Sequence, residues 1–213
     1  MHSFSKLIDH TNLSPEASES DIINLCKEAI EYGFASVCIN PFFVPLAVSL
    51  LANESPKVCT VIGFPIGAIS AEMKFAEARF LVHQGAEELD MVMNIGALKE
   101  GKKDVLEHEV SKVVQAADQS CVKVIIETSL LNDKEKILAS SLIKDCGASF
   151  VKTSTGFSSG GATVEDIKLL RKTVGSDMGV KASGGIKTLL NVNNLVDAGA
   201  DRIGTSNGIA IVS

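Results

Sequence analysis

A (β/α)8 barrel with a short or incomplete last helix is the fold class that this sequence predicts, on three observations. Eight short apolar runs, several rich in Val and Ile at consecutive positions, read as parallel strands buried on both faces. Segments of helical period separate them, among them "DIINLCKEAIEYG", "AEMKFAEARFLVHQG" and "DVLEHEVSKVVQAAD". Eight such repeats in 213 residues suit a closed parallel barrel forming one domain over 1–213. An open doubly wound sheet is the alternative, but no G-x-G-x-x-G turn follows the first strand.

In chain order, the first predicted strand is Leu7–His10, and Ser14 with Pro15 marks the start of the helix that Gly33 ends. Strand two is Ala35–Ile39 and strand three Val58–Ile62, followed by a helix ending at Gly85. Strand four is Glu88–Met93 and strand five Val122–Glu127. Asn132 and Asp133 start the next helix, which Gly147 closes before strand six, Ser149–Lys152. Thr163 with Asp166 signals another helix start, ahead of strand seven, Gly179–Ala182. Thr188 and Gly199 bound the helix before strand eight, Asp201–Gly204.

Composition narrows the partners. The chain is 46% hydrophobic and 22% charged, as ordinary globular proteins are. With no tryptophan, one tyrosine and a net charge of −6, it is not expected to bind nucleic acid. The opening "MHSFSKLIDH" has no apolar h-region and no run nears 18 apolar residues, so neither a signal peptide nor a membrane partner is expected. Cys26, Cys38, Cys59, Cys121 and Cys146 are an odd number within apolar segments, which suits free thiols and a cytoplasmic location.

Spacing then points to a site. Five residues beyond each helix-ending glycine stand Cys38, Asp90, Lys152 and Gly204, on strands two, four, six and eight. Alternate strands of such a barrel fill one interior layer, so a thiol, a carboxylate, an amine and an empty position share a level. Gly204 would leave room for a ligand. Lysine is rare in a barrel interior, yet Lys152 ends strand six in "FVKTSTGF" and Lys181 follows Val180 within strand seven in "GVKASGG". An amine attacks a carbonyl only when unprotonated, and an ordinary lysine, with a pKa near ~10.4, seldom is at neutral pH. Desolvation and a neighbouring cation both favour the neutral form, and Lys181 supplies that cation for Lys152. An ionised Asp90 beside the amine would oppose this, so it is expected nearer the substrate, moving protons.

A lone strand lysine more often snorkels to the strand end, but two on neighbouring strands with a carboxylate at matching depth favour chemistry. Lys123, near the start of "VKVIIET", is expected to snorkel; Glu127, ending that strand, is a secondary candidate. The turns "SGGIKT" and "GTSNG" follow strands seven and eight, the usual phosphate seat of such barrels. There Gly184 and Gly185 would admit an anion, with Lys187 adding charge and Ser206 a hydroxyl. His2, His10, His83 and His108 lack paired ligand spacing, which disfavours a zinc-dependent lyase, and His10 reads as a structural hydrogen-bonder. Cys38 reads as a small buried filler before a nucleophile, and Asp9 as ordering the floor of the site. No G-x-S-x-G elbow is present.

Taken together, "LIDHTNL", "VCINP", "VIGFPIG", "ELDMVMNIG", "KVIIET", "FVKTSTGF", "VKASGGIKT" and "RIGTSNG" closely resemble the deoxyribose-phosphate aldolase family over nearly the whole chain. The resemblance implies a class I aldolase on a (β/α)8 barrel, working without metal or other cofactor. It would cleave 2-deoxy-D-ribose 5-phosphate to glyceraldehyde 3-phosphate and acetaldehyde. It implies a Schiff base on Lys152, proton donor and acceptor roles for Asp90 and Lys181, and phosphate contacts at Gly156, Gly184, Gly185, Lys187 and Ser206. Asp9, Cys38, Lys123 and Glu127 remain secondary candidates. Lys187 stands where many members have Arg, and Asn207 where many have Ser; lysine keeps the charge but loses the bidentate fork. A transaldolase-like transferase with a longer ketose donor, and a phosphate-binding module without catalysis, are the alternatives. A homodimer is one assembly open to the chain.

Overall fold

The computed structural model describes residues 4–213. Among them, eight strands pair in parallel around a closed ring. β1 (Ile8–Asn12) is followed by α1 (Glu19–Tyr32), β2 (Ser36–Ile39), α2 (Val44–Leu50), β3 (Lys57–Ile62), α3 (Ala71–His83) and β4 (Glu88–Val92). Then come α4 (Ile95–Lys99), α5 (Lys103–Ala117), β5 (Cys121–Ile125), α6 (Asp133–Asp145), β6 (Phe150–Lys152) and α7 (Val164–Val174). β7 (Gly179–Ser183), α8 (Leu189–Asp197), β8 (Arg202–Thr205) and the five-residue α9 (Gly208–Val212) complete the order. The ring closes where β8 meets β1, with Ile8 opposite Ile203, Asp9 opposite Gly204 and His10 opposite Thr205.

The strand expectations hold to within about two residues, and the last helix is short as expected. Two boundaries are corrected. Ser18, not Ser14, caps α1: its side chain accepts from Asp21 N, and the Asp21 carboxylate accepts from Ser18 N. That reciprocal box satisfies two otherwise orphaned amides, which Ser14 four residues earlier does not provide. Strand pairing in β5 stops at Ile125, because Glu127 adopts φ 52°, a left-handed turn that leaves the ladder. Gly33 takes φ 66° as the C-cap of α1, donating back to Ala29 and Ile30 carbonyls. α2 and α4 were not expected; seven and five residues are too few to show a helical period.

Apolar side chains alternate outward from the strands. Val37, Ile39, Leu89, Met91, Val124, Val151, Val180 and Ile203 pack in one buried core with helix residues such as Ile22, Leu81, Val110, Ile143 and Leu170. Each such burial is worth about 1.5–3 kcal/mol. Inside the ring the apolar part is small: Leu13, Cys38, Cys59 and Val61, with Phe64 against them. Most of the remaining interior is ionic, where branched aliphatic layers would be usual. The outer core therefore carries the hydrophobic stabilisation, leaving the inside free for charge.

Candidate active site

The ionic interior forms a connected ladder of alternating sign. At the N-terminal end of the strands Arg202 meets two carboxylates: its Nε donates to Asp9 Oδ1 at 2.9 Å and its Nη2 to Glu88 Oε2 at 2.9 Å. Above them stand two lysines. Lys123 Nζ donates to Glu88 Oε2 at 2.6 Å, and Lys181 pairs with Asp9. Both lysines also reach Asp90, Lys123 donating to Oδ1 at 2.9 Å and Lys181 to Oδ2 at 2.6 Å. Lys152 tops the ladder, its Nζ donating to the same Oδ2 at 2.7 Å. The sheet register sets Lys152 beside Lys181 and Asp90 beside Lys123.

Two expectations fail here. Asp90 does not lie on the substrate side of the amine. It is fully buried beneath Lys152, and its charge is shared among three ammonium groups. Lys123 does not snorkel: it is wholly buried, because Glu88 and Asp90 on the neighbouring strand give its head a partner inside the barrel. Burial opposes ionisation of Asp90, yet Lys123, Lys152 and Lys181 outweigh it and hold the carboxyl well below the usual range. For Asp9, burial is likewise overcome by Lys181, Lys123 and Arg202. Lys181 and Lys123 keep their protons more tightly than free lysine, burial being outweighed by Asp9 and Asp90 for the first and chiefly by Asp90 for the second.

These shifts carry a sign for stability. Asp9 and Asp90 have depressed folded values, so their contribution is complete above the unfolded value of about 4 and is lost as pH falls through the folded ones. Urea midpoints are expected to fall steadily below about pH 4, with a shallower slope in Asp9→Asn. An equal slope in the variant would remove Asp9 from the acid response.

Above Lys152 opens a cavity of about 320 Å3 at the C-terminal end of β1, β6, β7 and β8. Lys152, only 3% exposed, forms part of its lining, as do Gly156, Gly184, Gly185, Lys187, Ser206 and Asn207. No Asp or Glu lines it, while Lys152 and Lys187 bring positive charge, so the cavity suits an anion. Gly161 holds the seat from behind: a Cβ there would fall 2.2 Å from the Gly184 carbonyl oxygen, which accepts from Ala162 N. Glu127, on its left-handed turn, accepts from Thr155 N at 3.2 Å and Thr155 Oγ1 at 2.6 Å, and so fixes the loop that carries Gly156. Phe157 from that loop meets Phe64 of the β3 loop edge-on at 5.3 Å, across the mouth of the barrel.

Cys38, Asp90 and Lys152 come together at one level, as the spacing suggests. The space above Gly204 is largely taken, since a Cβ there would lie 3.2 Å from Lys181 Cε; the glycine admits that lysine as well as edging the cavity. Cys38 is a buried filler beside Cys59. Ligand atoms of Cys38, Cys59 and Asp90 lie within 4.8 Å of one another, but three ammonium groups already occupy the Asp90 oxygens, so the trio does not fit a metal. His10 Nε2 donates to Glu28 Oε2 at 2.7 Å, a structural role, and His2 lies outside the described residues. Sequence reasoning missed Glu88 and Arg202, which look like exposed strand ends, and the cavity wall from Thr11 to Ser14. The position of Thr11 to Ser14 at the C-terminal end of β1 was the available signal.

A buried lysine beneath an anion-suited cavity, at the C-terminal end of a parallel barrel's strands where such folds carry their active sites, suits an enzyme acting on a small anionic substrate, and the comparisons define its class as aldolase. Residues 4–213 match the family described as DeoC/LacD family aldolase. The deoxyribose-phosphate aldolase of Streptococcus gordonii is 55% identical over 207 residues, covering 97% of this chain and 94% of that one. The deoxyribose-phosphate aldolase of Thermococcus gammatolerans is also 55% identical, over 211 residues, with 97% and 94% covered. A tetrameric deoxyribose phosphate aldolase from Aeropyrum pernix superposes with a TM-score of 0.92 at 37% identity, over 98% of this chain and 89% of that one. The chain belongs to the DeoC/LacD aldolase family, and it is an aldolase on a (β/α)8 barrel. Among the described residues no helix is long and apolar enough to cross a membrane.

Proposed function

We propose that this aldolase reversibly cleaves 2-deoxy-D-ribose 5-phosphate to D-glyceraldehyde 3-phosphate and acetaldehyde through a Schiff base on Lys152. The observation that carries the reading is the meeting of Lys152 with a cavity lined by Lys187 and by no carboxylate. The neutral amine attacks C1 of the open-chain aldehyde, and loss of water leaves an iminium. A base takes the C3 hydroxyl proton, C3 becomes the aldehyde carbon as the C2–C3 bond breaks, and the electron pair of that bond passes into the iminium as an enamine. Glyceraldehyde 3-phosphate departs, C2 is protonated, and water releases acetaldehyde and Lys152. Lys181, a firmly held ammonium, and Asp90, which accepts from both amines, form the proton relay through water.

The phosphate contacts assigned are Gly156, Gly184, Gly185, Lys187 and Ser206. Gly161→Ala is expected to raise KM for the phosphorylated substrate about tenfold, roughly 1.4 kcal/mol, with a smaller change in kcat. An equal loss with a substrate lacking the phosphate would count against this seat. We read residues 1–213 as one functional unit acting in the cytosol, where its five cysteines stay as the free thiols of this structure. A homodimer is the assembly assigned.

Borohydride reduction with acetaldehyde, followed by peptide mass mapping, tests the chemistry. A two-carbon adduct on Lys152 is expected. No adduct would favour a module that only holds phosphate, and turnover with a ketose donor but not acetaldehyde would favour a transaldolase-like transferase.

A further inference from the structure

The ladder holds an uneven number of charges. Among the described residues, four cations (Arg202, Lys123, Lys181 and Lys152) meet three carboxylates (Asp9, Glu88 and Asp90) in one connected run. Without Lys152 the count is three against three. Arg202 contacts two carboxylates, Lys123 three, the furthest at 3.8 Å, and Lys181 two. Lys152 contacts Asp90 alone, and that carboxylate is already met by Lys123 and Lys181. The surplus proton of the interior therefore sits at the top, next to the cavity.

We infer that Arg202 and Glu88, at the end of the barrel away from the cavity, set the pH at which Lys152 becomes reactive. They touch neither substrate nor Lys152; they act through the ladder, as positioning residues for a proton. The inference rests on the Schiff-base reading above. Removing Arg202 leaves three cations for three carboxylates, so the Lys152 proton becomes the needed counter-charge and is harder to lose. Removing the Glu88 charge leaves four cations for two carboxylates, and the proton is lost more readily. Low dielectric inside the barrel lets this coupling persist over a distance that water would screen.

Every strand brings a group to this count. Asp9 comes from β1, Cys38 from β2, Cys59 from β3, Glu88 and Asp90 from β4, Lys123 from β5, Lys152 from β6, Lys181 from β7 and Arg202 from β8. The thiols are the two members that could alter it. Burial holds the proton on Cys59, while Cys38 is lowered by its hydrogen bond with Cys59. An ionised Cys38 would supply a fourth anion, and the test below includes it.

The experiment measures the yield of borohydride-trapped acetaldehyde on Lys152 against pH, by peptide mass, in the full chain. Arg202→Met is expected to move the midpoint up by about one pH unit, and Glu88→Gln down by about as much, the size one charge has on a buried neighbour. The double variant should return to within about half a unit of the parent, since the two charges cancel. Arg202→Lys, which keeps the cation, should leave the midpoint in place. Damage to packing would lower the yield at every pH, or move both single variants the same way, and either result overturns the inference. So does a midpoint that stays fixed in both. Where Arg202→Met fails to fold, Glu88→Gln alone decides by its sign. A midpoint falling in Cys38→Ser as far as in Glu88→Gln would show a thiolate in the ladder and overturn the count. Absence of any adduct in the parent would instead sink the Schiff-base reading.

Discussion

Lys152→Leu is expected to lose the trapped adduct completely and at least about 10^4-fold of aldolase turnover, as loss of a covalent nucleophile does elsewhere. The same change should not unfold the protein. Most buried lysines answer a carboxylate that would be stranded by their removal, at about 3–5 kcal/mol. Here Asp90 keeps Lys123 and Lys181, and the six remaining charges balance. Replacing the surplus cation with a side chain of similar volume should leave stability unchanged or raise it by about 1–4 kcal/mol. Urea denaturation and a single-turnover assay on one preparation separate the two effects. Turnover within tenfold of the parent would dismiss the covalent mechanism; a marked loss of stability would show that Asp90 depends on Lys152 after all.

Asp90→Asn should do the opposite. The amide keeps the shape but leaves four cations facing two carboxylates, with Lys123, Lys152 and Lys181 each losing a partner at 2.6–2.9 Å. A cost of about 3–5 kcal/mol is expected, a large part of the whole stability of a domain this size. The pH dependence carries its own sign. Lys123 and Lys181 still keep Glu88 and Asp9, but Lys152 has no other carboxylate. With four cations for two carboxylates the folded ladder holds its surplus protons less tightly than the unfolded chain does, so the unfolded state binds more protons and stability rises with pH. The variant should therefore be more resistant to urea at pH 9 than at pH 7. A variant equally stable at both values would show that Lys152 finds another partner.

The barrel was legible because its outer core obeys simple periodicity. Val37, Ile39, Val124 and Val180 are strand-formers on the outward face, and helix-ending glycines punctuate them. The interior was legible only at its upper level, where Asp90 and Lys152 stand at equal distances from such glycines. What escaped depends on pairing across strands. Glu88 and Arg202 begin β4 and β8, where a charge ordinarily points to water, and nothing local reveals that they face each other through the barrel. Lys123 failed for the same reason: its snorkelling expectation holds unless a neighbouring strand offers Glu88 and Asp90. Asp90 was set on the wrong side of the amine because its charge was weighed against Lys152 alone, without the two further lysines that share it. At α1, Ser14–Pro15 has the residue types of a helix start, but Ser18 with Asp21 closes the capping box.

Arg202 and Asp9 stand 193 positions apart in the chain, yet they are direct partners. A growing or partly unfolded chain that lacks the last strand thus lacks the guanidinium that ties Asp9 to Glu88, leaving the two to Lys123 and Lys181. The ring closes only when the C-terminal strand docks, so opening the seam between first and last strand should loosen the floor of the whole interior together.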